Sequence, residues 1–241
     1  MKKIYAVFLS ALLFTSCLND FLDVNPVSDI ATSTFWQTDN DVRAALNSIY
    51  ADFQTNYNKN SGGNYMTWFE MRSDNFIGTT VSSSMPTFAA NTNKLNSSHA
   101  SADWNVWYKS ISTANYALYY IPDVQGLTEI KKNNYMAEAY FLRAFCYFNL
   151  TRIWGNVPLI EKPTLSLTDV EKPTQSSQVQ ILELIGKDLE EAVKLVDEGL
   201  NDVFRFNPGA LYALYTDYAM WIHDYDKAIL YSGKLMDLQR Y

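Results

Sequence analysis

The sequence predicts an all-α fold of stacked helix pairs with one long loop inserted between the first two helices. Three observations carry that reading. Apolar residues recur at 3.6-residue spacing in six segments. Three of those segments open on a side chain able to cap a helix, namely Thr38, Ser177 and Asn207. The stretch between the first and second segments has no such period and is dominated by Ser, Thr and Asn.

The first helix is expected over Asp39 to Phe53. Thr38 can cap it, with Asp41 three residues on, and Val42, Ala45, Leu46, Ile49 and Phe53 form its stripe. The second is expected over Asp103 to Ile121, with Trp107, Ile111, Ala114 and Leu118 on one face and Pro122 ending it. The third is expected over Ile130 to Trp154 and stops at Gly155. Between Ala139 and Leu150 it is apolar nearly all round, which predicts the most buried helix.

The fourth helix is expected from Ser177, in a capping box with Gln180, to Glu198, with Gly199 as its stop and Leu182, Ile185, Leu189, Ala192 and Val196 as its stripe. Asn207 followed by Pro208 starts the fifth, which runs to Ile222, and the sixth runs from Asp226 to the end. The turn His223-Asp224-Tyr225-Asp226-Lys227-Ala228-Ile229 resembles that of a tetratricopeptide unit, so the last two helices read as one repeat. The sixth helix carries Ile229, Leu230, Leu235, Met236 and Leu238, and an exposed apolar patch is expected there.

Composition limits the function classes. In 241 residues, 48% are hydrophobic and 19% charged, which excludes an intrinsically disordered chain. A net charge of −7 repels phosphate backbones and argues against nucleic acid as a partner. Two His and two Cys do not supply a common zinc site, and no cofactor motif is present. Cys146, within Phe145-Cys146-Tyr147-Phe148, reads as a buried small hydrophobe.

The N-terminus reads as a targeting signal. Lys2 and Lys3 precede an apolar run from Ile4 to Phe14, too short to span a membrane and suited to a signal peptide. Phe14-Thr15-Ser16-Cys17 follows and resembles a lipoprotein processing box, so residues 1–16 are expected to be removed and Cys17 to carry lipid; the other reading is an ordinary secretory signal with a chance cysteine. Residues 17–37 lack helical periodicity and read as an extended tether, Asn25-Pro26 included.

The inserted loop holds the candidate site. Residues 78–103 contain thirteen Ser, Thr or Asn among twenty-six, and only Lys94 and Asp103 are charged. Aromatic and polar side chains precede it. Tyr65, Trp68, Arg72, Asp74, Asn75 and Asn91 are the candidate ligand-binding residues. Aromatic faces stack on sugars, and amide, carboxylate and guanidinium groups bond to hydroxyls. An uncharged loop of this kind suits a neutral polyhydroxylated ligand. The other reading is a solvated surface loop over core aromatics. Glu70 and Asp74 are four apart, but no other catalytic feature accompanies them as a glycosidase pair.

Several ordered blocks together resemble the N-terminal half of the SusD/RagB family, outer-membrane nutrient-binding lipoproteins of Bacteroidetes. They are the lipoprotein signal, Leu22 to Pro26, Thr34-Phe35-Trp36, Asp41 to Tyr50, Trp104 to Asn115, Ala137 to Phe145, Gly155 to Leu159, and Arg205 to Ile229. The resemblance implies a tetratricopeptide-like scaffold whose loops form a glycan site. It also implies a non-enzymatic, lipid-anchored outer-membrane protein at the cell surface that passes oligosaccharide or another nutrient ligand, in some members peptide, to a TonB-dependent, SusC-like transporter. Departures from the family pattern are Thr216-Asp217 in place of an Ala-Arg pair and Leu18-Asn19-Asp20 after the lipid-bearing cysteine. Family members also run longer, so residues 38–241 are expected to be a helical region incomplete at its C-terminus. The alternative function is a truncated helical-repeat scaffold that contacts the transporter without binding ligand.

Overall fold

Thr38 opens the first helix as its sequence dictates. In the computed structural model its hydroxyl accepts the Asp41 N–H at 3.3 Å, and the Asp41 carboxylate accepts the Thr38 N–H at 2.7 Å. Residues 35–59, 63–73, 75, 96–166 and 172–239 are described. Cys17, most of the 17–37 tether, Asp74 and Asn91 lie outside them. The chain divides into two units, Met1–Gln37 and Thr38–Tyr241. In the described part of the first, the Phe35 and Trp36 rings meet edge to face at 5.4 Å. Every helix and strand named below belongs to the second.

Helix α1 spans Asp39–Asn58, one turn beyond the expected end at Phe53. That turn carries Tyr57, whose ring meets Trp107 at 5.8 Å and Trp68 at 6.4 Å, so tertiary packing extends it past the regular stripe. Helix α2 spans Asn105–Tyr120 and continues into a 3-10 turn, Ile121–Asp123, that contains Pro122. Asp103, expected as its first residue, lies just ahead of it and accepts the Asn105 N–H at 3.0 Å. Helix α3 spans Glu129–Trp154, capped by Thr128, and ends where Gly155 turns the chain at φ +76°. Fourteen of its residues are buried, more than in any other described helix, as its apolar sequence predicts.

Val157–Pro158 (β1) and Gln175–Ser176 (β2) pair antiparallel, a bridge too short to leave a sequence signal. Helix α4 spans Gln178–Leu195, and the Ser177–Gln180 capping box is present. It stops before the expected Glu198. The Asn134 side chain on α3 captures the Asp197 N–H at 2.8 Å, and the Asp197 carboxylate takes the Gly199 N–H at 2.9 Å. Both amides are thereby removed from the helix. Helices α5 (Pro208–Trp221) and α6 (Tyr225–Asp237) begin at Asn207 and Asp224 caps.

The helices stack largely in chain order. The most extensive contacts are α3 with α4, α5 with α6, α2 with α3 and α1 with α2. This is the tetratricopeptide-like arrangement. Tyr231 of α6 stacks on Tyr215 of α5 at 3.8 Å, and Thr216 satisfies its hydroxyl on the Tyr212 carbonyl at 2.8 Å. A Cβ at Gly186 would lie 2.6 Å from the Tyr218 hydroxyl, which reaches the Leu182 carbonyl at 2.9 Å; glycine permits that approach of α5 to α4. On α6, Ile229, Leu230 and Met236 are exposed, as the stripe predicts, while Leu235 and Leu238 are half-buried.

Two buried ionic clusters tie the stack together. Arg143 on α3 gives two hydrogen bonds to Asp188 on α4, at 2.8 and 2.7 Å, and one to Asn115 on α2 at 2.7 Å. Burial pushes the Asp188 carboxyl up, and the guanidinium opposes it. Glu138 accepts from Arg205 at 2.8 Å and from the Tyr50 hydroxyl at 2.7 Å, joining α3, α1 and the segment before α5. Cys146 is fully buried, and burial raises its thiol pKa well above the usual range.

The segment after α3 is a strap bound by its carbonyls. Tyr108 donates to Pro158 O at 2.7 Å, Asn115 to Ile160 O at 2.9 Å and Arg143 to Glu161 O at 3.1 Å. Tyr116 donates to Thr164 O. The donors come from α2 and α3, so the strap lies across those two helices.

Candidate functional site

Trp68 sits on a single π-helical turn, Met66–Glu70, closed by the Met71 N–H on Met66 O at 2.8 Å. Such turns place side chains where a regular helix does not. Trp68 is buried, and its indole N–H donates to Ser101 O at 2.7 Å. That bond ties the turn to the 3-10 turn Ala100–Ala102. The residues ahead of it are fixed locally: Asn96 Oδ1 accepts the Ser98 N–H at 2.9 Å, and His99 Nδ1 accepts the Asn96 N–H at 3.1 Å.

Trp104 stands at the N-cap of α2, beside an Asp103 carboxylate held by the Asn105 N–H and by Lys59 at 2.9 Å. Those two bonds, the backbone one foremost, hold the Asp103 carboxyl below its usual range. Trp154 closes α3, and Gly155 then turns the chain away. The rings meet in sequence, Trp68 with Trp154 at 5.5 Å and Trp154 with Trp104 at 6.0 Å. Trp68 rests on Trp107 of the core at 6.0 Å.

These three tryptophans wall a cavity of about 560 Å³, lined also by Arg72, Asn96, Ser97, Ser101, Ala102 and Ile153. Its size is that of a small-molecule site. Among the described lining residues Arg72 alone is charged, and no carboxylate is present. The cavity can stack flat apolar faces, bond hydroxyls and pair one anionic group. Glu70 is not among its lining residues, so the described cavity holds no acid and base pair.

The structure brings Trp68 and Arg72 to this cavity. Tyr65 is half-exposed, its ring meets Tyr57 and Phe69 at 5.8 and 5.4 Å, and it is not among the lining residues. Asn75 is exposed and its N–H meets the Ser73 hydroxyl at 3.4 Å, also outside the lining. Sequence reasoning did not select Trp104 and Trp154. The available signal was a large aromatic at the start of one helix and at the end of another, each next to a polar turn.

The second unit is thus a helical stack that carries a tryptophan-walled cavity with, among the described lining residues, no carboxylate. A family profile described as starch-binding and associating with the outer membrane matches residues 20–217, and the chain belongs to this SusD-like family. A SusD-like protein of Formosa agariphila is 30% identical over 225 residues, covering 93% of this chain and 43% of the relative. Among solved structures, a laminarin-binding SusD-like protein superposes with a TM-score of 0.69 at 23% identity, covering 83% of this chain and 44% of the other. NanU of B. fragilis superposes with a TM-score of 0.73 at 21% identity, covering 89% and 44%. The chain therefore spans less than half the length of these relatives.

Proposed function

We propose that this protein captures oligosaccharide at the outer membrane and passes it to a TonB-dependent, SusC-like transporter without breaking a bond. One observation carries the reading: a cavity walled by Trp68, Trp104 and Trp154 that presents stacking faces and hydrogen-bonding groups and, among the described residues, no carboxylate. Family membership supports it, as does the laminarin-binding character of one structural relative. Trp104 is the residue to test, because it is half-buried and its removal spares the core beneath Trp68. In gels containing laminarin, starch or pectin, the protein is expected to be retarded by at least one polysaccharide. Trp104→Ala is expected to weaken that binding by about 2 kcal/mol, roughly thirtyfold in Kd. Unchanged retardation of the variant would remove the cavity as the site. No retardation of the parent by any of these glycans would favour a scaffold that contacts the transporter without ligand.

Membrane attachment rests on residues 1–16 as a signal peptide and on lipid at Cys17, with residues 17–37 as the tether to the helical region 38–241. No described helix is long and apolar enough to cross a membrane. Cys17→Ala is expected to move the protein from the membrane fraction to the soluble fraction and to abolish the mass added by lipid. Retention of both in the variant would exclude this anchor.

A further inference from the structure

The charge in the cavity narrows the ligand class. Nine of the fifteen described lysines and arginines form ion pairs. Arg72 is one of the six that form none among the described residues, and of those six it is the one that lines the tryptophan-walled cavity. The remaining described lining is uncharged. A neutral sugar gives a guanidinium only hydroxyl acceptors. A carboxylate or a sulfate ester matches its planar fork with two parallel, charge-assisted bonds.

We infer that the cavity is selective for an anionic oligosaccharide, one whose ring stacks on Trp104 or Trp154 while its carboxylate or sulfate group pairs with Arg72. This rests on the reading of the cavity as a glycan site and departs from the neutral ligand that the uncharged loop composition favours. The chain as a whole is acidic, so the preference is local: it comes from one cation on an aromatic wall and not from the overall field.

Calorimetric titration of the purified chain separates the possibilities with three probes: tetragalacturonate, a κ-carrageenan tetrasaccharide and maltotetraose. At least one of the two anionic probes is expected to bind tenfold or more tightly than maltotetraose. The preferred one tells carboxylate from sulfate. Arg72→Gln is expected to weaken the anionic probe about tenfold and leave maltotetraose unchanged. Arg72→Lys is expected to recover part of the loss, because charge survives and the fork does not. Trp104→Ala is expected to weaken all probes that bind. If maltotetraose binds as tightly as the anionic probes and Arg72→Gln changes nothing, the anionic preference is overturned and glycan capture stands. If no probe binds the parent chain, both are overturned.

Discussion

Asp188→Ala is expected to destabilise the protein by roughly 3–5 kcal/mol, the cost of breaking a buried ion pair by removing one partner. The Asp188 and Arg143 side chains are 3% and 7% exposed, so the stranded guanidinium has little access to water. It also loses two of its four hydrogen bonds, since Asn115 and Glu161 O remain. Because Arg143 joins α2, α3, α4 and the strap, the loss should appear in the global transition and not as local fraying. Urea denaturation followed by circular dichroism measures it. Replacing both residues, Arg143→Met with Asp188→Leu, is expected to recover most of the stability, since neither change then leaves a buried charge. A single-mutant loss below about 1 kcal/mol, the range of a surface pair, would show that the clamp is solvated.

Trp107→Ala is expected to cost a similar amount, roughly 3–5 kcal/mol. The ring is fully buried between Phe53, Tyr57, Trp68 and Phe145, at centroid distances of 5.7, 5.8, 6.0 and 6.4 Å. Its indole N–H has no partner among the described residues, so the substitution also removes a poorly satisfied donor, which places the cost toward the lower end. For a chain of this size that corresponds to a melting shift of ~10 °C. Trp107 also supports Trp68, so glycan affinity should fall together with stability. Trp104→Ala should lower affinity with little change in melting, and comparable melting shifts for the two would contradict this division between core and site.

Local signals were legible in the sequence where their causes are local. The Thr38–Asp41 and Ser177–Gln180 capping boxes, the Asn207-Pro208 start and the Gly155 stop each act within a few residues, and each forms as the residue types predict. The α4 terminus was not legible, because Asn134, sixty-three residues earlier, takes the amide that would have continued the helix. The charged residues within apolar α3 had no readable partner for the same reason: Arg143 finds Asp188 on α4, and Glu138 finds Arg205 ahead of α5. The candidate site divides likewise. Trp68 and Arg72 stand close to the polar loop in the chain and were legible from it. Trp104 and Trp154 reach the cavity only because α2 and α3 pack together.

The strap held by its carbonyls makes position and amide protection separate properties. From Glu161 to Leu165, no backbone N–H has a partner among the described residues, whereas the Ile160 N–H just before them is held by the Tyr147 hydroxyl at 2.7 Å. Deuterium in the solvent should therefore label this stretch rapidly even though its backbone is fixed, and quick isotope uptake there would report unprotected amides and not motion. The same arrangement accommodates imino acids. Pro158 and Pro163 interrupt the segment without forfeiting a bond, because its attachment to α2 and α3 runs through oxygen acceptors that every residue type supplies.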